Sequence, residues 1–356
     1  MNQFGNQKQI SAVDAKSNAQ KIAFAPIVFQ ATLALRNLGI LGLLMKSRKQ
    51  GMRADTIAAE LNLPIYGVKV LLEAGLGAEL VYLEDNLFHL SKTGYFILTD
   101  KLTRVNMNFV ADVCYQSMPC LEESIVKERP VGLASFGQWD TIYEGLSHLP
   151  EKTQQSWLEF DHFYSDIAFP QVLPQVFSTN PGHIVDVGGN TGKWAKQCLE
   201  YNNEVRVTIV DLPGQLIRAA TQLDEAGFGG RFTVHAMDLL TDGEDFPAQA
   251  DVIWMSQFLD CFSDTQVTQI LQRTRAGMDV DSTLYILETF WDKQQYSASA
   301  FSLVNTSLYF SCIANGNSKM YHSSELKSCA EQAGLVLRQQ TDGIGVGHTL
   351  LEYKLA

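Results

Sequence analysis

From residue 182 onward the chain alternates short apolar runs with amphipathic stretches. The runs fall at 183–187, 205–211, 232–237, 251–256, 283–289, 336–341 and 349–354. Each is short, rich in β-branched residues and bounded by Gly, Pro, Asn or Asp, the pattern of a strand. Helix-period stretches, among them 194–201, 214–226, 265–276 and 323–333, are expected between the first six runs. Strand–helix alternation implies a parallel sheet covered on both faces. The last two runs are joined by the Gly-rich link 342–347, too short for a crossover helix, so that pair is expected to be antiparallel.

The first part of the chain follows another pattern. Residues 27–45 are apolar with helical period, 54–61 and 65–80 predict two helices around a turn at Leu63 and Pro64, and 92–98 begins another. Pro64 suits a helix start, where a missing N–H costs nothing. Between them, 81–83 and 87–90 flank an Asp-Asn turn and predict a hairpin. That order is a winged helix. The expected division is a winged-helix-like module over 1–104, then a helical linker and α/β domain over 105–356, with residues 1–18 as a loose terminus. The linker is rich in aromatics, including Trp139, Tyr143, Trp157, Phe160 and Tyr164. Periodicity does not separate core aromatics from those that wall a pocket for a flat molecule.

Charge narrows the partners. The net charge of −12 opposes a large nucleic-acid footprint. The helix that would read DNA carries Lys69 against Glu73 and Glu79, so the module reads as a packing or dimerisation device. No apolar run reaches the roughly 18–20 residues that span a bilayer, and no basic-then-apolar leader opens the chain. Six scattered cysteines form no C-x-x-C pair, so neither a zinc site nor any other metal is expected. Reduced thiols fit the cytoplasm.

The chemistry gathers at strand ends. The run from Ile184 to Gly192, IVDVGGNTG, is a strand, a glycine turn and a helix start. Glycines at 188, 189 and 192 let the backbone approach a ligand, and the helix beginning near Lys193 offers free N–H groups to an anionic end. Asp211 ends the next strand, where a carboxylate can accept from both ribose hydroxyls of a nucleoside; its alternative is a helix cap before Pro213. Asp238 ends the third strand and can accept from an adenine amine, with Met237 and Leu239 against the ring. The turn lacks the G-x-G-x-x-G spacing of a nicotinamide site.

On these residues the chain resembles the small-molecule O-methyltransferases of secondary metabolism, related to the caffeic acid and hydroxyindole enzymes. The resemblance spans residues 21–354 and includes the winged helix, the linker 122–130 (EESIVKERP), the glycine motif, Asp211-Leu-Pro, Asp238 and the strand LYILET at 284–289. It implies the class I methyltransferase fold, a Rossmann-like seven-stranded sheet with its last strand antiparallel. It also implies S-adenosyl-L-methionine as cofactor, a small aromatic substrate and a homodimer through the N-terminal domain. By that resemblance Asp186, Gly188, Gly189, Asp211, Leu212, Asp238 and Leu239 hold the cofactor, Ser165 lies near its methionine carboxylate, and Ser256 stands at a cofactor-contacting position.

One departure stands out. The family's Leu-His-Asp-Trp motif appears as LDCFSD at 259–264, so Asp260 replaces the general-base histidine. An exposed Asp near 4 is a poor base, whereas burial would raise its pKa toward working pH. Glu288, which aligns with a family glutamate flanking the base, and His162 are the other candidates. Methylation of a phenolic hydroxyl is the first expectation. Methylation of a ring carbon beside a phenol and a degenerate cofactor-binding regulator are its rivals. A transcription factor would need the basic helix that is missing.

Overall fold

The structure is a computed structural model that describes Phe4 and residues 10–241, 245–247 and 250–356. Most of residues 1–9 in the expected loose terminus lie outside the described residues. The rest of that terminus is corrected: Ala12–Ala23 is a helix, because Ser11 accepts from the N–H of Asp14 as an N-cap and the following residues favour helix. The chain divides into two compact units, one ending at Asn108 and the other running from Phe109 to Ala356.

In the first unit the expected single helix over 27–45 is two, Ala25–Asn37 and Ile40–Ser47. Gly39 at φ +83° breaks them, a backbone state that ordinary residues avoid. Helices Ala54–Glu60 and Ile65–Gly77 follow, and Leu35, Ile40, Leu41, Leu44, Ile57 and Leu72 are fully buried between these elements. Strands β1 (Val81–Glu84) and β2 (Leu87–Leu90) pair antiparallel around Asp85 and Asn86, both at positive φ, which matches the twist of a two-residue hairpin. No single described helix is long and apolar enough to cross a membrane. The pair Ala25–Asn37 and Ile40–Gln50, bent by 60°, passes only on combined length and composition.

The second unit holds a seven-stranded sheet: β3 (His183–Val187), β4 (Arg206–Asp211), β5 (Phe232–Ala236), β6 (Val252–Ser256), β7 (Thr283–Glu288), β8 (Leu335–Ile344) and β9 (His348–Leu355). The order is β5-β4-β3-β6-β7-β9-β8, parallel throughout β5 to β7. β9 runs antiparallel between β7 and β8, as the short link required. Alternate residues of each strand feed opposite faces. Val185, Val187, Ile253, Met255 and Ile286 pack on one side. On the other, Ile184, Ile209 and Trp254 meet the helices Lys193–Tyr201 and Pro213–Glu225 and the C-terminal half of Glu151–Val176.

One expected helix does not form: the connection from β5 to β6 contains none among its described residues. Asp238 instead accepts from the Leu240 N–H and the Thr241 hydroxyl, so its side chain turns the backbone at the strand end. The carboxyl ends of β3, β4 and β6 face one crevice, where open α/β sheets bind ligands.

Candidate active site

A cavity of about 360 Å³ opens at these strand ends. Gly188, Asp211, Leu212, Asp238 and Leu239 line one part of it. Gly188 sits at φ +69°, and a Cβ there would lie 2.3 Å from the Phe258 ring. Only glycine leaves that cradle open. Asn190, at positive φ, points its N–H at Asp211 Oδ2 (2.8 Å), while the Leu212 N–H reaches Oδ1 (2.7 Å). Asp211 is therefore not a helix cap: its carboxylate is aimed by two backbone donors and keeps lone pairs for a ligand. Buried Met237 and Leu239 supply apolar walls beside Asp238. A nucleoside with a ribose diol and a flat base fits this donor and acceptor set.

Other expected cofactor residues lie behind that surface. Asp186 is buried under the glycine turn, and a Cβ on Gly189 would meet its Oδ2 at 2.8 Å. Burial, with the Asp211 charge adding, pushes its carboxyl up to about 8, so it is a protonated support under the turn. Ser165 Oγ turns back to the His162 carbonyl (3.5 Å). The Ser256 hydroxyl, at the end of β6, is buried with no hydrogen-bond partner. Neither serine lines the cavity.

The other part of the cavity is aromatic. Tyr143, Trp157, Phe160, Tyr309 and Phe310 form its wall, and Trp157 Nε1 donates to the Tyr309 hydroxyl at 2.7 Å. Asp260 projects there from a short turn, Leu259–Cys261, and is only 6% exposed. Glu288, at the end of β7, shapes that turn: its Oε1 accepts from the N–H groups of Phe258 (3.0 Å) and Leu259 (2.9 Å). Asn315 secures the other end, donating to the Cys261 carbonyl at 2.6 Å. Burial pushes the Asp260 carboxyl up to about 6, although the Cys261 thiol donates to it. Burial and the neighbouring Asp260 drive Glu288 further up. Glu288 thus positions the turn in its neutral form, and it does not line the cavity.

The histidine and its neighbour exchange roles. His162 does not line the cavity, and burial together with the Lys193 charge pushes it down to about 4. Asp161 does line it, held by Asn190 Nδ2 at 3.4 Å, with its carboxyl raised to about 7 by burial and the Asp260 charge. The signal was present in the spacing: Trp157, Phe160 and Asp161 stand at i, i+3 and i+4 of one helix and share a face. His162 is turned about 100° from it.

These carboxyls make stability pH-dependent. Asp260, Asp161 and Asp186 hold protons up to about 6, 7 and 8 when folded, against roughly 4 in an unfolded chain. His162 and His348, pushed down to about 4, act the opposite way below about 6.5, so the net fall in stability lies between there and about 8, where the folded state binds more protons. Melting of the ligand-free protein by circular dichroism is expected at a higher temperature at pH 6 than at pH 8. An unchanged or rising Tm would show that these carboxyls are not held protonated.

Comparison with known proteins places this geometry. Residues 142–336 match the O-methyltransferase domain family, and residues 16–88 match the Dimerisation2-like domain. The chain belongs to the O-methyltransferase family. It is similar to the O-methyltransferase SfmM3 of Streptomyces lavendulae, 27% identical over 37% of this chain and 40% of that protein. It is also similar to the acetylserotonin O-methyltransferase of Gallus gallus, 25% identical over 66% of this chain and 68% of that one. The first match thus spans well under half of that relative's length. Among solved structures, the S-adenosylmethionine-dependent methyltransferase SibL superposes with a TM-score of 0.72 at 22% identity, covering 95% of this chain and 99% of that one. The mitomycin 7-O-methyltransferase MmcR gives 0.70 at 19% identity, over 97% and 98%. The fold is that of the class I methyltransferases, and one half of the cavity is shaped for a nucleoside.

Proposed function

We propose that the enzyme methylates a hydroxyl of a small aromatic molecule, with Asp260 as general base. The observation that carries this is a single cavity that has nucleoside-binding strand ends on one side and an aromatic wall with a buried carboxyl on the other. Gly188, Asp211, Leu212, Asp238 and Leu239 would hold the cofactor, with Asp186, Gly189, Ser165 and Ser256 supporting them from behind. Bound S-adenosylmethionine supplies a methyl group on a sulfonium centre. Asp260 takes the proton of the acceptor hydroxyl at a carboxylate oxygen; a value near 6 leaves it ionised at neutral pH yet basic enough to matter. The aromatic wall aligns the ring and excludes water. Incubation with methyl-labelled cofactor and a panel of phenols tests the reading. Label in an aryl ether supports it, and no transfer to any phenol counts against it.

Ring-carbon methylation is the second reading, favoured by the second carboxyl. Attack through carbon needs one base for the phenol and another for the ring proton, and Asp161 and Asp260 line the same cavity. A methyl carbon resonance in the aryl-CH₃ range in place of the O-CH₃ range would select it.

The Dimerisation2-like match and the exposed Ile22, Phe24 and Ile27 of the first unit support a homodimer. Light scattering at micromolar protein is expected to give twice the chain mass of 39.6 kDa. A value equal to one chain would refute the dimer.

A further inference from the structure

The cavity is lined by five acidic residues, Glu144, Asp161, Asp211, Asp238 and Asp260, and by no Lys, Arg or His among the described residues. Asp211 and Asp238 belong to the nucleoside half. Glu144, Asp161 and Asp260 line the rest of the cavity from three separate elements, with Asp161 between the aromatic wall and Asn190 of the glycine turn. Glu144 is exposed and Asp260 is 94% buried, so the negative groups run from solvent to the reacting end. Three basic residues beside the cavity are occupied or uncharged. Lys193 is paired with Asp166 at 2.7 Å, and Arg273 is hydrogen-bonded to the carbonyls of Asp238 and Thr241. His162 is neutral at working pH. The remaining polar groups of the acceptor half are phenol, thiol, amide, the Thr141 hydroxyl and the Trp157 indole. The Tyr143 hydroxyl lines the cavity beside the Cys261 thiol, a donor within reach of a bound molecule.

A carboxylate brought into this half would face like charges in a poorly solvated space with no cationic side chain in its lining. An uncharged carbonyl would meet no such repulsion and could accept from Tyr143. An ammonium group would be attracted. We propose that the acceptor is a phenol whose other substituents are uncharged or cationic, and that an aromatic acid is methylated only with its carboxyl masked as an ester, thioester or amide. The inference rests on the reading of this half of the cavity as the acceptor site. It deepens that reading by naming the charge class. It also places the enzyme after a carboxyl-activating or carboxyl-condensing reaction whenever the precursor is an aromatic acid.

The test uses the full-length protein saturated with S-adenosylhomocysteine, which lacks the sulfonium charge. Matched triplets of acid, methyl ester and aminomethyl derivative on hydroxybenzene and hydroxynaphthalene frames are titrated by calorimetry at pH 7.5. The ester and the amine are expected to bind about tenfold or more tighter than the acid on each frame that binds. Apolarity alone would also favour the ester, so charge is tested separately. Glu144→Lys at the mouth, and Asp161→Asn within, are each expected to shrink the ester-to-acid ratio several-fold, with circular dichroism confirming the fold. A ratio unchanged in both variants overturns the electrostatic assignment. An acid that binds as tightly as its ester overturns the proposal outright. If no member of any triplet binds while S-adenosylhomocysteine does, the aromatic acceptor reading itself fails, and the proposal with it.

Discussion

Asp260→Asn is expected to lower kcat by about 10²–10⁴-fold, the usual cost of removing a general base, while the affinity for S-adenosylhomocysteine stays within about threefold. The substitution keeps the shape of the side chain and an oxygen for the Cys261 thiol, so it deletes basicity and spares packing. The pH profile separates this from a structural effect. Asp260 must be ionised to act, so wild-type kcat should rise as pH passes through about 6 and then level off. That rise should vanish in the variant. Glu288→Gln should cost less, because an amide oxygen can still accept from the Phe258 and Leu259 N–H groups. His162→Ala should leave the rate nearly unchanged, since the ring does not line the cavity. Full turnover in Asp260→Asn, with loss in Glu288→Gln or His162→Ala, would place the base elsewhere. For ring-carbon methylation, Asp161→Asn should join Asp260→Asn in losing turnover.

Asp211→Ala is expected to weaken S-adenosylhomocysteine binding by at least about 10²-fold. Two hydrogen bonds to a charged acceptor contribute roughly 1.5–3 kcal/mol each, and each 1.4 kcal/mol is about tenfold in affinity. The carboxylate is already aimed by Asn190 and Leu212, so its loss removes a preorganised acceptor, not a mobile one. The fold should survive, because the side chain is not a helix cap and β4 keeps its ladders with β3 and β5. Calorimetry reads the affinity and circular dichroism the fold. Wild-type affinity in a folded variant would move the ribose away from the end of β4.

The glycine turn was legible because its function is a backbone property. A strand, three glycines and a helix start are local, and Gly188 is needed for the same close approach that its sequence context implied. Asp211 and Asp238 were legible because parallel strands bring their carboxyl ends to one edge whatever the details of packing. Asp161 was missed in favour of His162 because residue type outweighed helical phase. The two are adjacent in sequence, yet one faces the cavity and the other does not. Asp260 was found only through its resemblance to a motif, and its raised pKa depends on burial that no local pattern shows.

By itself, the sequence determined the alternation of strands and helices, the antiparallel last pair and the strand ends that line the cavity, because hydrophobic period and turn chemistry act over a few residues. Tertiary structure decided the insertion of β9 between β7 and β8, the break at Gly39 and, among the described residues, the lack of a helix between β5 and β6. It also decided which carboxyls are supports and which face the cavity. Glu288 and Asp186 are as buried as Asp260, but the chain turns the first two into the interior and the third into the acceptor space. Desolvation, neighbouring charge and line of access come from residues far apart in the chain, so those properties appear only once the fold brings them together.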